Sequence, residues 1–469
     1  MTTLHIVSLG CARNEVDSEE MAARFAQSGF ELVDSSSQAE VVVVNTCGFI
    51  EAAKAESIEE IMEAAQLKDS GRVRTVIAAG CLAERYGSEL ADALTEADAV
   101  IGFDGYDDIA ATVRDVMSGG HVTPPEPRDR RMLLPVSPAA RIDPARIPPW
   151  VPSRRTRLSG SPMAPLKIAS GCDRKCAFCA IPSFRGSFQS RLPFDIVREA
   201  SWLVTQGVRE LFLVSENTTS YGKDLGGTGQ LESLLGQLDE IDDVGWVRLS
   251  YLQPAEVKPS LIDAVASTGH VVEYFDLPFQ HASRTVLKRM RRFGDADSFL
   301  GLLDQIRRFV PQAGIRTNVI VGFPGETDQD VDILKQFLSE ARLDAVGVFP
   351  YSDEEGTEGA GLDGHMDIDE ILARADDVST FADTVTSMRA EERIGEKVEV
   401  LIESVEDGVG MGRARGQGPE DGRTYIQESG RSHGIGEFVR GTIVGTDGVD
   451  WLVNLGEKDS PEVGQTNRS

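Results

Sequence analysis

A chain of 469 residues, 41% hydrophobic and 26% charged, with a mean hydropathy of -0.19, is too long for one ordinary core and is composed like a globular protein, so several domains are expected. No apolar run reaches the length of a membrane span, and residues 1–10 have neither the basic nor the apolar segment of a signal peptide, so a cytoplasmic location is expected. The 47 basic and 76 acidic residues leave a formal charge of -29; a field of that sign repels phosphate backbones and favours basic partners, or it serves solubility alone.

Residues 4–9 read as a short apolar strand, followed by Cys11 and a helix starting near Asp17. There Asp17-Ser18-Glu19-Glu20 resembles a capping box, and Gly29 fits the position just past the helix end. Val41-Val42-Val43-Val44 is a β-branched run of the kind buried in parallel sheets and leads to Cys47; Val76-Ile77-Ala78-Ala79 leads in the same way to Cys81. Three successive strand–helix units predict a doubly wound parallel sheet over 1–118. A Pro/Arg-rich stretch over 119–160 has no sustained period and reads as an extended linker, suited to lie over an acidic neighbour.

The alternation then resumes, with strands expected at 166–170, 210–216, 246–252, 274–280, 316–322 and 345–351 and helical patterns between them. Six repeats over 161–390 are too few for a closed eight-stranded barrel and suit a partial (β/α)6 barrel, with active groups at the carboxyl ends of its strands. Short strands at 397–404, 423–427, 438–444 and 450–453, separated by Gly-rich turns, predict a small antiparallel β-barrel over 391–457. The polar tail 458–469 is expected to be disordered. The fold class is therefore α/β, in three folded parts.

Only six cysteines occur. Without an export signal, clustered cysteines are more often metal ligands or catalytic groups than three disulfides. Cys172, Cys176 and Cys179 form C-x3-C-x2-C just after the first barrel strand. Three thiolates from one loop can hold a four-iron cluster and leave one iron open for chemistry. A structural zinc site would want a fourth ligand nearby, and His121 and His270 are far away in sequence. Cys11, Cys47 and Cys81 are subtler. Any one alone reads as an inert core residue. All three, however, follow the carboxyl end of a parallel strand about one β/α unit apart, so they should converge on one sheet edge as a second three-thiolate set.

Val7-Ser8-Leu9-Gly10-Cys11 with Asn14 and Asp17-Ser18-Glu19, and Asn45-Thr46-Cys47-Gly48-Phe49-Ile50 with Ala53-Lys54 and Glu56-Ser57, resemble the N-terminal domain of the radical-SAM methylthiotransferase family. Cys179-Ala180-Ile181-Pro182-Ser183-Phe184-Arg185-Gly186 is similar to that family's cluster loop. Tyr274-Phe275-Asp276-Leu277-Pro278-Phe279-Gln280-His281-Ala282-Ser283, Val321-Gly322-Phe323-Pro324-Gly325-Glu326-Thr327, Ala341-Arg342-Leu343-Asp344 and Tyr351-Ser352 match as well. The C-terminal barrel occupies the place of the family's TRAM domain, and the resemblance spans nearly everything except the linker and tail. The Asn45 stretch is most similar to the branch that modifies a ribosomal protein.

The resemblance implies two 4Fe-4S clusters, and S-adenosylmethionine (SAM) as both methyl donor and radical source. SAM chelates the open iron on Cys172, Cys176 and Cys179, is cleaved to a 5′-deoxyadenosyl radical, and sulfur from the Cys11/Cys47/Cys81 cluster is delivered as a methylthio group. Phe178 is implied beside the adenine. Glu216 is the implied contact to the SAM amino group, although its segment reads Ser215-Glu216-Asn217-Thr218 where this branch more usually has Ser-Gln-Asp-Thr. Gly322 and Gly325 either let the backbone approach SAM or form a strand-to-helix turn. Gln280 ends the fourth strand at the catalytic face, and His281 beside it either joins the site or caps the next helix. No side chain is assigned as an acid or base, because the chemistry is carried by the cofactors.

The substrate implied is an aspartate of small-subunit ribosomal protein twelve, modified at its β-carbon, with flavodoxin or ferredoxin as electron donor. From Glu391 onward 16 acidic residues stand against nine basic ones, which suits a basic protein better than tRNA. The alternatives are a tRNA (adenosine) methylthiotransferase and a non-catalytic iron–sulfur scaffold; SAM cleavage on reduction separates the scaffold from both enzymes.

Overall fold

The computed structural model describes residues 1–132, 155–427 and 432–456. The first part comprises β1 (Thr3–Ser8), α1 (Ala12–Gln27), β2 (Glu31–Leu32), β3 (Val41–Thr46), α2 (Glu51–Gln66), β4 (Thr75–Gly80), α3 (Cys81–Ala93), β5 (Ala99–Ile101) and α4 (Ile109–Met117). Its strands lie in the order β2-β1-β3-β4-β5, and every pairing is parallel. All six residues of both β3 and β4 are buried. Successive side chains alternate across the sheet: Val41 and Val43 meet Met21 and Phe25 of α1 and Val113 of α4, while Val42 and Val44 meet Ile61 of α2 and Leu90 of α3. Helices cover both faces, as a doubly wound sheet requires.

Helix α1 begins five residues earlier than the sequence predicts, with Cys11 as its extended N-cap. Asp17, Ser18, Glu19 and Glu20 are therefore mid-helix and buried, and they are not a capping box. Lys167 and Arg185 reach Asp17 from the next domain, and Arg155 reaches Glu19 at 2.7 Å and Glu199 at 2.8 Å. The acidic run is an ion-pair face between domains. At the other end of α1, Phe30 N–H bonds Phe25 O and Gly29 N–H bonds Ala26 O, a Schellman stop that uses the positive φ of Gly29.

The central part comprises β6 (Met163–Lys167), β7 (Ala169–Ser170), α5 (Ile181–Arg185), β8 (Gln189–Ser190), α6 (Pro193–Thr205), β9 (Glu210–Val214), α7 (Gln230–Asp239), β10 (Trp246–Leu249), α8 (Pro259–Ser267), β11 (Tyr274–Asp276), α9 (Arg284–Arg289), α10 (Ala296–Phe309), β12 (Gly314–Val321), α11 (Asp328–Ala341), β13 (Ala345–Pro350) and α12 (Ile368–Glu392). Parallel sheets β10-β9-β6 and β11-β12-β13 meet through the Val247–Val271 bridge and the Leu252 N–H to Asp276 O bond, giving the six-stranded partial barrel. The first predicted strand divides into β6 and β7, because Ala169–Ser170 pairs instead with β8. The fourth ends at Asp276, and Gln280 rejoins β12 only by a bridge to Val319.

The last part is a closed barrel, β14-β15-β16-β18-β17, built from β14 (Lys397–Glu406), β15 (Val409–Ala414), β16 (Thr424–Ile426), β17 (Phe438–Asp447) and β18 (Asp450–Asn454). Its pairings are antiparallel except β16 with β18, which is parallel. β15, Val-Gly-Met-Gly-Arg-Ala, adds a strand to those expected from the sequence: two glycines hide its alternation, and pairing with β14 and β16 decides it. This barrel docks on the amino ends of the central strands, where Trp246 meets Phe438 at 5.0 Å between ring centroids and Glu210 joins Arg413 at 2.6 Å. It therefore lies opposite the carboxyl ends. Residues 133–154 of the expected linker and the 458–469 tail lie outside the described residues; the described ends of the linker are anchored, Arg130 on Glu84 and Arg155 as above.

Candidate functional site

β1, β3 and β4 are adjacent in the sheet, so their carboxyl ends deliver Cys11, Cys47 and Cys81 side by side. Two glycines permit the close approach. At Gly10 a Cβ would sit 2.9 Å from Cys47 Sγ, and at Gly80 it would sit 2.5 Å from Thr46 O; both have positive φ. Asn14 binds the three strand ends together: its Nδ2 donates to Leu9 O and to Thr46 O, each at 3.0 Å, and Cys81 Sγ donates to its Oδ1 at 3.4 Å. Ser57 fixes Cys47 by accepting from its N–H at 2.9 Å and donating to its O at 3.1 Å.

Cys172, Cys176 and Cys179 lie on the loop between β7 and α5, which the β7–β8 pairing closes at its base. Cys172 N–H bonds Gly186 O and Cys179 N–H bonds Cys176 O. Arg292 Nη1 lies 3.7 Å from Cys176 Sγ. All six cysteines are free. Burial pushes Cys81 and Cys172 up to about 11, raises Cys47, and raises Cys179 further still. Burial acts in the same sense on Cys11, but the guanidiniums of Arg13 and Arg185 outweigh it and its pKa falls. A thiol held protonated by burial ionises when a cation takes the proton's place, which suits a metal ligand better than a free nucleophile. Among the described residues no three His, Cys, Asp or Glu converge closely enough to hold one metal ion. In a cluster each thiolate need reach only its own iron, so both sets fit a cluster better than a zinc ion.

The two sets lie at one interdomain seam, linked by contacts from both sides. Ala180, the N-cap of helix α5, and Phe184 within it pack into the apolar cluster that contains Cys81 and Phe103. Arg185 of the same helix lies over the Phe103 ring at 4.7 Å and reaches Cys81 Sγ at 3.0 Å and Asn14 Oδ1 at 2.7 Å. Arg13, two residues after Cys11, crosses to the end of β9, where it donates to Ser215 O at 3.0 Å and lies 3.4 Å from Glu216. On the far side Lys54 and Arg85 pair with the buried Glu354 beyond β13, at 3.1 and 2.7 Å. Tyr251 and Gln280 follow neighbouring strands in left-handed conformations, φ 52° and 73°; such strain in non-glycine residues gathers at functional sites. Asp276 accepts the Tyr251 N–H at 2.8 Å, and burial pushes its carboxyl up to about 6.

The remaining candidates are distributed around this seam. Glu216 has a side chain 2% exposed, and neither of its oxygens has a hydrogen-bond partner, a fit to an incoming ammonium group. Phe178 packs on the cluster of Ala177, Phe323 and Tyr351. Gln280 N–H bonds Asn318 O. His281 is fully buried and its Nδ1 accepts from Ala282 and Ser283 N–H, so it organises the turn into α9. The space a side chain would need at Gly322 and Gly325 is taken by Ile371 and Arg289; packing within the chain accounts for both glycines. Arg13, Tyr251, Asp276 and Arg185 join the site only in the folded chain, since no spacing in sequence separates them from ordinary arginines, tyrosines and aspartates.

Family models match in the same order: the uncharacterized protein family UPF0004 over residues 3–102, the radical SAM superfamily over 166–338 and the TRAM domain over 394–455. A radical S-adenosylmethionine methyltransferase, TsrM from Kitasatospora setae, shares the fold with a TM-score of 0.52 at 14% identity, covering 75% of each chain. The chain is 54% identical to the ribosomal protein uS12 methylthiotransferase RimO of Cutibacterium acnes, over 96% of this chain and 97% of that one. It is 56% identical to the RimO protein of Nocardioides sp. over 96% of each, and 53% identical to that of Streptomyces coelicolor over 96% and 95%. With both thiol sets on one seam and relatives this similar along nearly the whole length, the chain belongs to the RimO family of radical-SAM methylthiotransferases.

Proposed function

We propose that this enzyme adds a methylthio group to the β-carbon of an aspartate in ribosomal protein uS12, with one 4Fe-4S cluster and SAM at Cys172, Cys176 and Cys179 and a second cluster at Cys11, Cys47 and Cys81. The observation that carries the reading is the interdomain seam, which Arg185 bridges from the helix after the Cys172–Cys179 loop to Cys81 Sγ at 3.0 Å and Arg13 bridges from beside Cys11 to Glu216 at 3.4 Å. The bound groups supply one-electron reduction of SAM, a carbon radical that takes hydrogen, and the sulfur that is transferred.

The chain supplies geometry and exclusion of water. Glu216 offers two acceptors to the SAM amino group, Phe178 an apolar wall for its adenine, and Gln280 a strained backbone position at the strand edge. Asn14, Ser57 and Arg185 hold the N-terminal thiols in place. Electrons come from a flavodoxin- or ferredoxin-type donor. The charge of -29 favours a basic protein partner. Two described arginines at the end of the linker are engaged within the chain, Arg155 with Glu19 and Glu199 and Arg157 with Glu19 and backbone carbonyls, so these two are not free for a phosphate backbone.

After anaerobic reconstitution with SAM, sulfide and reductant, purified uS12 is expected to gain about 46 Da on an aspartate, CH3S replacing H, while tRNA is unchanged. Methylthio-adenosine in tRNA with unmodified uS12 would overturn the reading. Iron analysis tests the cluster count separately. About eight irons per chain are expected, and replacing Cys11, Cys47 and Cys81 together by Ala should halve that number; unchanged iron would remove the N-terminal cluster from the scheme.

A further inference from the structure

We infer that Arg13 is the receptor for the substrate's own carboxylate, held in reserve by Glu216 until substrate and SAM arrive. This rests on the reading of the substrate as an aspartate side chain. Arg13 and Arg185 are both cations of the interdomain seam, and of the two Arg13 is the one paired with Glu216. It follows Cys11 by two residues, donates to Ser215 O at 3.0 Å at the end of β9, and its guanidinium lies 5.3 Å from the centre of the Tyr251 ring.

Its present partnership is incomplete. The Arg13 side chain is 12% exposed and Glu216 2%, and they are 3.4 Å apart, yet Arg13 Nε and both Glu216 oxygens lack hydrogen bonds. A buried donor and buried acceptors left unfilled are costly, more so when charged. A second carboxylate on Arg13 and an ammonium on Glu216 would satisfy both. An aspartate carboxylate is bonded directly to the β-carbon, so a guanidinium that grips it fixes the C–H bond to be broken, and a planar fork favours a carboxylate over the isosteric amide.

SAM also carries a carboxylate, so the chemistry has two sources. The substrate is favoured because Arg13 is contributed by the N-terminal domain, beside Cys11, and not by the loop that carries Cys172.

The test measures anaerobic binding of fluorescently labelled uS12 to the reconstituted holoenzyme, using wild-type uS12 and a form with the modified aspartate changed to asparagine. Wild-type enzyme is expected to prefer the aspartate form by about tenfold. Arg13→Gln should bring the ratio close to one by weakening the aspartate form, and Arg13→Lys, which keeps the charge, should preserve a preference. SAM affinity is measured on the same variants. A tenfold loss of SAM binding in Arg13→Gln with the aspartate preference intact would assign the carboxylate to SAM and overturn the inference. So would a preference that survives Arg13→Gln with SAM binding unaltered. Failure of the wild-type enzyme to modify uS12 at all would instead remove the substrate reading on which the inference stands.

Discussion

Cys176→Ala is expected to abolish reductive SAM cleavage, whereas Cys47→Ala is expected to retain cleavage and form no methylthiolated product. Each set has only three thiols, so loss of one leaves too few ligands for its own cluster. The two sets nevertheless reside on separate frameworks, one on the β7–α5 loop and one on the ends of β1, β3 and β4. Removing the Cys47 thiol leaves the loop contacts of Cys172 and Cys179 with Gly186 and Cys176 in place. The expected difference is from full 5′-deoxyadenosine production to none above background in Cys176→Ala, measured by chromatography, with methylthiolation followed by mass spectrometry. Loss of cleavage in Cys47→Ala while the other cluster's spectrum and iron persist would contradict this division of labour.

Glu210→Gln is expected to weaken attachment of the C-terminal barrel by about 3–5 kcal/mol, the range for breaking one partner out of a buried ion pair. Glu210 and Arg248 are fully buried and 2.5 Å apart, and Arg413 joins from β15 at 2.6 Å. Burial alone would raise the Glu210 pKa, but the two guanidiniums outweigh it and hold the carboxyl below its usual range. With Glu210 neutral, Glu403 at 2.7 Å remains for Arg413, but Arg248 is left as a buried cation with the Arg415 carbonyl and the Tyr274 and Trp246 rings and no carboxylate of the described residues in hydrogen-bond contact. Urea unfolding followed by tryptophan fluorescence reads this directly, since Trp246 packs at the seam. A change below about 1 kcal/mol would mean the pair behaves as solvent-exposed pairs do. Replacing Arg248 by Met as well should recover much of the loss, because no uncompensated charge then remains.

Local chemistry made much of this protein legible from its sequence. The β-branched runs at Val41 and Val76 have no stable home except a parallel sheet covered on both faces. The spacing of Cys172, Cys176 and Cys179 is short enough for a loop to present three thiols without help from elsewhere. The periodic placement of Cys11, Cys47 and Cys81 carried their convergence, because parallel strands joined by helices must return to the same edge. What the sequence misread were residues whose meaning depends on partners distant in the chain. Asp17 and Glu19 look like helix-capping residues, and become interdomain ion pairs only when Lys167, Arg185 and Arg155 are folded against them. β15 has too little side chain to announce itself and is a strand because its neighbours supply hydrogen bonds. Arg13 and Arg185 resemble any other arginines until the docking of two domains buries them beside thiols, where charge is no longer screened by water. Periodicity and spacing act over one or a few units of secondary structure and are written in the chain; the electrostatics of a buried seam arise between units, and only tertiary structure decides them.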